Sequence, residues 1–499
     1  MNAPENIDWV RQAALLKPRT RCYIDGRFVA AASGETFACT SPVDGRELAQ
    51  VARGGAADVE YAVASARAAF EDGRWSRQPP AQRKRVLQAF AASILQHGEE
   101  LALTETLDMG KPIRFSLSVD VAATARCINW YAEAIDKVYD EIAPTAPSAL
   151  ALIMREPIGV VGAIVPWNYP MIMAAWKLGP ALATGNSVVL KPSEKSPLSA
   201  LRLAELAVEA GIPPGVLNVV PGYGQEAGEA LALHMDVDAI GFTGSTRVGR
   251  RMLEYAGRSN LKRVYNELGG KSAFVVFPDF DDLDRAAKTA AGCMFFNQGE
   301  SCNAPSRLLV HEAIAEEFLQ RVVAEAPAYE PADPLNVNTV MGALVDDGQL
   351  KTVMRYIEAG NGEGARCVVG GRRARQASGG YYVEPTVFDG VRNDMTIARE
   401  EIFGPVLSVI RFRDEAEAIA IANGTSYGLQ ASVWTSSIDR AHRVARSLRA
   451  GTVHVNQYDE DDITVPFGGY KQSGNGRDKS LHAFEKYTEL KTTWIRLQM

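Results

Sequence analysis

Three short stretches carry side chains that together supply a nucleophile, a carboxylate base and an amide donor. Cys302 follows the turn Asn297-Gln298-Gly299-Glu300-Ser301, which closes an apolar helical run. A cysteine becomes a strong nucleophile only as its thiolate, which forms in polar, partly open settings near helix ends or positive charge. Cys302 has that setting, whereas Cys293, among Ala290, Ala291, Gly292 and Met294, reads as a small core residue. Taken alone, a cysteine after a turn is weak evidence, and a buried, inert thiol is the commoner case. Glu267, in Asn266-Glu267-Leu268-Gly269-Gly270-Lys271, offers a carboxylate base, and Asn168, in Pro166-Trp167-Asn168-Tyr169-Pro170, an amide donor. Glu300 is a rival base by proximity, but its polar chain neighbours argue for a supporting role. Nucleophile, base and donor together describe an enzyme.

Elements of two kinds must position these groups. From Gly159 onward, apolar strand candidates at residues 160–165, 187–190, 216–220, 239–242 and 263–266 alternate with helical patterns. Unbroken apolar strands separated by helices imply a parallel sheet buried on both faces, with ligands beyond the carboxyl ends of its strands. A second alternating block starts at residues 272–277. It contains the helix leading to Cys302, a strand at 307–310, a helix at 313–326 that Pro327 stops, and strands at 407–412, 431–435 and 452–455. Residues 362–380, rich in glycine and arginine, read as loop and hairpin. Ahead of these blocks the pattern predicts a poorly ordered arm over residues 1–20, a strand–turn–strand at 21–29, and helices at 57–70, 81–106 and 116–139. Residues 148–156 read as an extended arm, and 491–497 as an exposed apolar strand. Unpaired strand edges are a liability unless another chain covers them, so a homo-oligomer is expected.

Two turns follow strands and open helices. Gly241 to Gly249, containing Phe242, Gly244 and Ser245, could present free N–H groups to a pyrophosphate, or be an ordinary strand-to-helix turn. Gly222-Tyr223-Gly224 to Gly228 is one residue longer than the dinucleotide spacing. Lys191 and Glu194, at the end of a strand, could grip a ribose or form a surface ion pair. A carboxylate there disfavours a 2′-phosphate, which favours NAD over NADP.

The totals bound the rest. At 499 residues, two or three domains are expected. A balance of 53 basic against 60 acidic residues argues against nucleic-acid binding, and no apolar run approaches the ~20 residues of a membrane span. The polar start lacks a secretion signal, and six scattered cysteines form no metal or disulfide pattern. These features lead to the expectation of a cytoplasmic protein without a metal.

Residues 166–170, 191–194, 242–245, 267–271, 297–302 and 400–405 resemble, in order and spacing, the signatures of the NAD(P)-dependent aldehyde dehydrogenase superfamily. The closing stretch, 465–482, most resembles its gamma-glutamyl-gamma-aminobutyraldehyde dehydrogenase branch. The resemblance implies an α/β fold: a Rossmann-like parallel-sheet cofactor domain (1–135 and 158–267), an α/β catalytic domain (268–486) and a small β oligomerisation arm (136–157 and 487–499). It implies that Cys302 attacks the aldehyde, Asn168 stabilises the oxyanion, and Glu267 activates water against a thioester. Lys191, Ser193 and Glu194 would hold the adenosine side of NAD, Gly224, Phe242, Gly244 and Ser245 its pyrophosphate region, and Val165, Trp167, Leu268, Glu401 and Phe403 the remainder. Tyr169, Trp176 and Phe467, with Phe296 beside the cysteine loop, match positions lining the aldehyde passage, and Ala122 and Ala123 would leave space near its entrance.

The departure from many relatives is the acidic run containing Asp459 and Asp461, which reads either as a solvated loop or as a mouth attracting a cationic aldehyde. The expected substrate is an aminoaldehyde: 4-aminobutyraldehyde, 3-aminopropionaldehyde, or a guanidino or gamma-glutamylated analogue. The expected assembly is a homodimer or homotetramer. The competing readings are an enzyme for apolar or betaine-type aldehydes, a CoA-acylating enzyme, and a non-catalytic structural protein, which NADH formation on adding an aldehyde would exclude.

Overall fold

The computed structural model describes residues 7–458 and 462–498. Two seven-stranded sheets organise it. In the first, Arg263–Glu267, Ala239–Thr243, Val160–Ile164, Ser187–Lys191 and Leu217–Val219 run parallel in that spatial order, and the hairpin Cys22–Ile24 and Arg27–Val29 continues the sheet antiparallel. Val160–Ile164, Ser187–Lys191 and Ala239–Thr243 are buried at every residue, as their unbroken apolar character requires when helices cover both faces. The chain lays strands outward in one direction from Val160–Ile164, then returns to its other side with Ala239–Thr243. That reversal opens a crevice beyond the carboxyl ends of these two strands.

The second sheet orders Arg366–Val369, Thr386–Asp389, Val406–Phe412, Arg307–His311, Ala273–Val276, Gln430–Trp434 and Thr452–Val455, parallel except for the first pair. Only five residues separate Glu267, the end of a strand in the first sheet, from Ala273, the start of one in the second. The carboxyl edge of one sheet therefore meets the amino edge of the other.

A third sheet stands apart. Thr488–Arg496 pairs with Ala149–Pro157 antiparallel along its whole length, and Glu141–Ala143 completes it. Leu490 and Trp494 remain exposed on it.

The structure corrects several expectations. In the segment read as a loose arm, Trp9–Leu15 is a helix whose Trp9 is buried and whose N-cap, Asp8, accepts a hydrogen bond from the Arg11 N–H. The single helix expected at 81–106 is two, Pro80–Gln96 and Gly98–Met109, broken at His97. The α-helix Ala315–Glu325 stops before Pro327 as expected, and Pro327 then sits in the first turn of a 3-10 segment, Ala326–Tyr329, where its missing N–H costs nothing. The hairpin Thr36–Thr40 with Glu47–Ala52 and the helix Asp347–Gly362 went unrecognised. The helix had a start signal in Asp346, whose carboxylate accepts from the Gln349 N–H. No helix among the described residues is long and apolar enough to cross a membrane, and no group of three potential metal ligands occurs among them.

Candidate active site

A cavity of about 660 Å³ lies where the two sheets meet, and both edges line it. From the first sheet, Trp167 and Asn168 leave the Val160–Ile164 strand while Gly244 and Ser245 leave Ala239–Thr243. Glu267 and Leu268 follow from Arg263–Glu267. From the second sheet's side come Cys302, Glu401 and Phe403. Residues distant in sequence thus converge on one crevice.

The cysteine turn is strained. Asn297, Gln298 and Gly299 have consecutive φ angles of 48°, 58° and 70°, a left-handed run in which only one residue is glycine. Cross-links hold it: the Asn168 side-chain amide donates to the Glu300 carbonyl at 2.8 Å, and the Asn297 amide donates to the Asn168 carbonyl at 3.0 Å. An amide nitrogen carries two hydrogens, so Asn168 keeps one for another acceptor. The Gln298 side chain accepts from the Gly342 N–H at 3.0 Å. Gly270 must be glycine, because a Cβ there would lie 2.3 Å from the Cys302 carbonyl oxygen. Cys302 itself is half-buried.

Glu267 is the electrostatic outlier. It is buried, and neither carboxylate oxygen has a hydrogen-bond partner among the described residues. Burial pushes its carboxyl well above the usual range, the nearby Asp478 charge adds to this, and Lys177, Lys486 and Arg477 offset part of it. Asp478, in turn, is gripped by both Lys177 and Lys486; burial alone would raise its carboxyl, but the two cations hold it below the usual range. Glu300 does not line the cavity, and its carboxylate instead accepts from the Val345 N–H at 3.1 Å. Glu401 is raised to about 7 by burial, with the Gly270 N–H, donating at 3.0 Å, and Lys271 pulling the other way.

Ser245, which lines the cavity, caps the helix Thr246–Arg258, its hydroxyl accepting from the Val248 N–H at 3.4 Å, so the N-terminus of that helix lies beside the crevice. The rings of Trp167 and Phe403 meet edge to face at 5.1 Å. Val165, Lys191, Ser193, Glu194, Gly224 and Phe242 do not line the cavity. They sit in or just after neighbouring parallel strands, continuing the same carboxyl edge outward. There Lys191 is buried rather than at the surface, with its ammonium 3.2 Å from the Glu194 carboxylate, and burial lowers its affinity for a proton.

On the far side of Cys302 the walls are aromatic. Tyr169, Trp176, Phe296 and Phe467 all line the cavity, the Trp176 and Phe467 rings 5.1 Å apart. Ala123 lines it and Ala122 does not. Asp459 and Asp461 lie outside the described residues. Three lining residues had no sequence signal. Cys293, read as core, is half-buried and reaches the wall, one helical face away from its alanine neighbours. Arg126 lies on the helical face that carries Val119 and Ala123. Lys479 has a φ of 60° and places its ammonium 5.7 Å from the Trp176 ring and 5.6 Å from that of Phe467.

The comparisons agree with this geometry. Residues 28–493 match the aldehyde dehydrogenase family. The sequence is 54% identical over 498 residues, all of both chains, to the NADP/NAD-dependent aldehyde dehydrogenase PuuC of Escherichia coli (strain K12). It is 60% identical to the gamma-glutamyl-gamma-aminobutyraldehyde dehydrogenase of Burkholderia cenocepacia J2315, whose structure superposes with a TM-score of 0.97 over 98% of this chain and 99% of that one. The P. syringae AldA indole-3-acetaldehyde dehydrogenase, solved in complex with NAD+ and IAA, gives the same TM-score of 0.97 at 60% identity, with 98% and 99% coverage. Matched by the family over residues 28–493 and 54% identical across its whole length to a family member, the chain belongs to the aldehyde dehydrogenase family.

Proposed function

We propose that the enzyme oxidises an aminoaldehyde to its carboxylic acid with NAD, through a covalent adduct on Cys302 that is released by water activated by Glu267. The observation that carries this reading is the Glu267 carboxyl, buried without a partner on the wall of the cavity that Cys302 and Asn168 also line. A carboxylate so placed has no competitor for the proton it must take.

The Cys302 thiolate attacks the aldehyde carbon, forming a C–S bond and moving the carbonyl pair onto oxygen. The remaining Asn168 amide hydrogen and the Cys302 backbone N–H donate to that oxyanion, each such donor typically worth about 3–4 kcal/mol. NAD, when bound, accepts the hydride that the adduct carbon loses. The oxygen's electron pair then restores a carbonyl, leaving Cys302 as a thioester. Glu267 removes a proton from water, oxygen adds to the thioester carbon, and the C–S bond breaks to give acid and thiolate. Asn168→Ala should lower kcat about a hundredfold or more while changing KM far less, as read by steady-state kinetics.

The residues present fit a dinucleotide. The helix start at Ser245 offers N–H groups to a pyrophosphate, Gly224 has open space where a Cβ would stand, and the Thr243 hydroxyl is buried without a partner. Lys191 and Glu194 would hold the adenosine ribose with Ser193 beside it, Phe242 and Gly244 would border the pyrophosphate, and Glu401 would hold the nicotinamide ribose, with Val165, Trp167, Leu268 and Phe403 around the ring. The Glu194 carboxylate supports NAD over NADP.

Among the candidate aldehydes, the described walls favour the gamma-glutamylated one. Apart from Glu267 and Glu401, the charged side chains lining the cavity among the described residues are Arg126 and Lys479. Both attract a substrate carboxylate and oppose a bare ammonium. The name of the Burkholderia relative points the same way. A second reading, an aromatic or apolar aldehyde, draws on the four aromatic walls. Rates with gamma-glutamylated 4-aminobutyraldehyde, 4-aminobutyraldehyde and hexanal at saturating NAD decide: the highest kcat/KM with hexanal would remove the aminoaldehyde reading. Product analysis with CoA present tests the acylating alternative, which needs no Glu267.

We further infer domain limits of 1–135 with 158–267, 268–486, and an arm of 136–157 with 487–499, and a cytoplasmic homodimer or homotetramer built through that arm. Exposed Leu490 and Trp494, two residues of one strand face, support an interface there. Leu490→Asp combined with Trp494→Asp should reduce the mass measured by light scattering to that of a smaller assembly.

A further inference from the structure

Beneath the cysteine turn lies a charge cluster that the reaction does not use. Lys111, Glu105 and Asp120 are all fully buried, the Lys111 ammonium 2.5 Å from an Asp120 carboxylate oxygen and 3.8 Å from Glu105. Burial, then the Asp120 charge, push the Glu105 carboxyl well above its usual range, and the closer partner of Lys111 is Asp120. A buried ion pair is costly unless its surroundings hold it, and such groups persist where they specify an arrangement.

The arrangement specified here leads to the nucleophile. The Lys111 ammonium lies 4.0 Å from the centroid of the Tyr169 ring, a close cation–π contact in dry surroundings. The Tyr169 hydroxyl is 2.6 Å from the Ser301 hydroxyl, and Ser301 directly precedes Cys302. The cluster also grips the helix Pro170–Ala183, whose Met171 N–H donates to Glu105 at 3.3 Å. The left-handed turn at 297–299 persists only if its neighbours hold it. Asn168 and Asn297 do so from one end, and the Tyr169–Ser301 bond from the other.

We propose that Lys111 and Tyr169 are positioning residues for Cys302, the buried chain Asp120–Lys111–Tyr169–Ser301 fixing the strained turn in the arrangement from which the thiol attacks. A cation on the ring face draws electron density from the phenol and makes its hydroxyl the stronger donor. The inference rests on the reading of Cys302 as nucleophile, and it gives Tyr169 a task beyond walling the aldehyde passage.

Tyr169→Phe keeps the ring and loses only the hydroxyl; Ser301→Ala removes the other half of the bond. Each should lower kcat, and the rate at which iodoacetamide alkylates Cys302 (read on its peptide by mass spectrometry), by about fivefold, the worth of one neutral hydrogen bond. KM for the aldehyde should stay within about twofold, because the wall is retained. The double variant should fall no further than either single one, since the same bond cannot be lost twice. Lys111→Met combined with Asp120→Asn, which removes the buried pair without orphaning a carboxylate, should shift alkylation in the same direction, and an unchanged rate would remove Lys111 from the chain. A change in KM only, an unchanged alkylation rate, or additive losses in the double variant would overturn the inference. Cys302→Ser, measured beside them, separates the two levels. Turnover at the parental rate would sink the functional reading, whereas an inactive Cys302→Ser beside a fully active Tyr169→Phe defeats the positioning chain alone.

Discussion

Cys302→Ala should abolish aldehyde oxidation, with steady-state turnover falling by at least about four orders of magnitude, because the atom that forms the covalent adduct is removed. The cavity makes this a demanding test, because a second thiol lines it. Cys293 is half-buried in the helix Leu283–Phe295 that leads into the cysteine turn, and its thiol opens on the same space. What distinguishes Cys302 is its surroundings. It follows directly on the left-handed turn, and its own carbonyl sits where only a glycine at 270 allows such close approach. The Asn168 amide bonds the residue two before it. None of this surrounds Cys293, so it cannot take over. NAD affinity, measured by quenching of tryptophan fluorescence, should be unchanged within about twofold, because the groups assigned to the dinucleotide do not include the thiol. Oxidation at the parental rate would mean that no thioester forms on Cys302.

Much of this site was legible in the sequence, and the reason is local. Strands buried on both faces must be apolar along most of their length, so Val160–Ile164, Ser187–Lys191 and Ala239–Thr243 stand out, and the residues at their carboxyl ends follow. Glu267 and Asn168 are positioned by strand ends, and Cys302 by a turn whose composition of small and polar residues marks it. Groups placed by tertiary contact were not legible. Lys479 lines the cavity from a left-handed position that no spacing marks, and Cys293 reads as core because its neighbours Ala290 and Ala291 are. The buried Lys111 cluster is spread over residues 105–120 with no spacing that announces it. The N-terminal helix was missed because seven residues with one tryptophan carry too little periodicity, although that tryptophan buries almost completely against the core. The helix Asp347–Gly362 was passed over because its apolar residues, such as Leu350, Val353 and Ile357, are diluted by polar and glycine positions.

Glu267→Gln should separate the two halves of the reaction. The amide matches the carboxyl in shape but cannot take a proton, so adduct formation and hydride loss proceed while thioester hydrolysis stalls. Stopped-flow absorbance should show a burst of NADH of about one per active subunit, followed by steady turnover lower by about a thousandfold. The pH dependence follows from the same burial. Desolvation first, then the Asp478 charge, raise the Glu267 carboxyl well above its usual range, so its basic form appears only as pH climbs through that raised value. In the parent, kcat should therefore rise with pH along a limb displaced above that of an ordinary glutamate, and the limb should be missing from the residual activity of Glu267→Gln. Stability runs in the opposite direction. Between the unfolded and the raised folded pKa, the native state binds more protons than the unfolded one, so the contribution of Glu267 to stability is full below the unfolded value and is lost as pH rises through the folded one. Glutamine has no charge to desolvate, so the variant should melt at a higher temperature than the parent above neutrality, and the gap should close in acid. An enzyme that gains stability on losing its base at high pH has been holding an uncompensated carboxylate for chemistry. A variant that turns over at the parental rate, with the pH limb intact, would hand the role of base to another group.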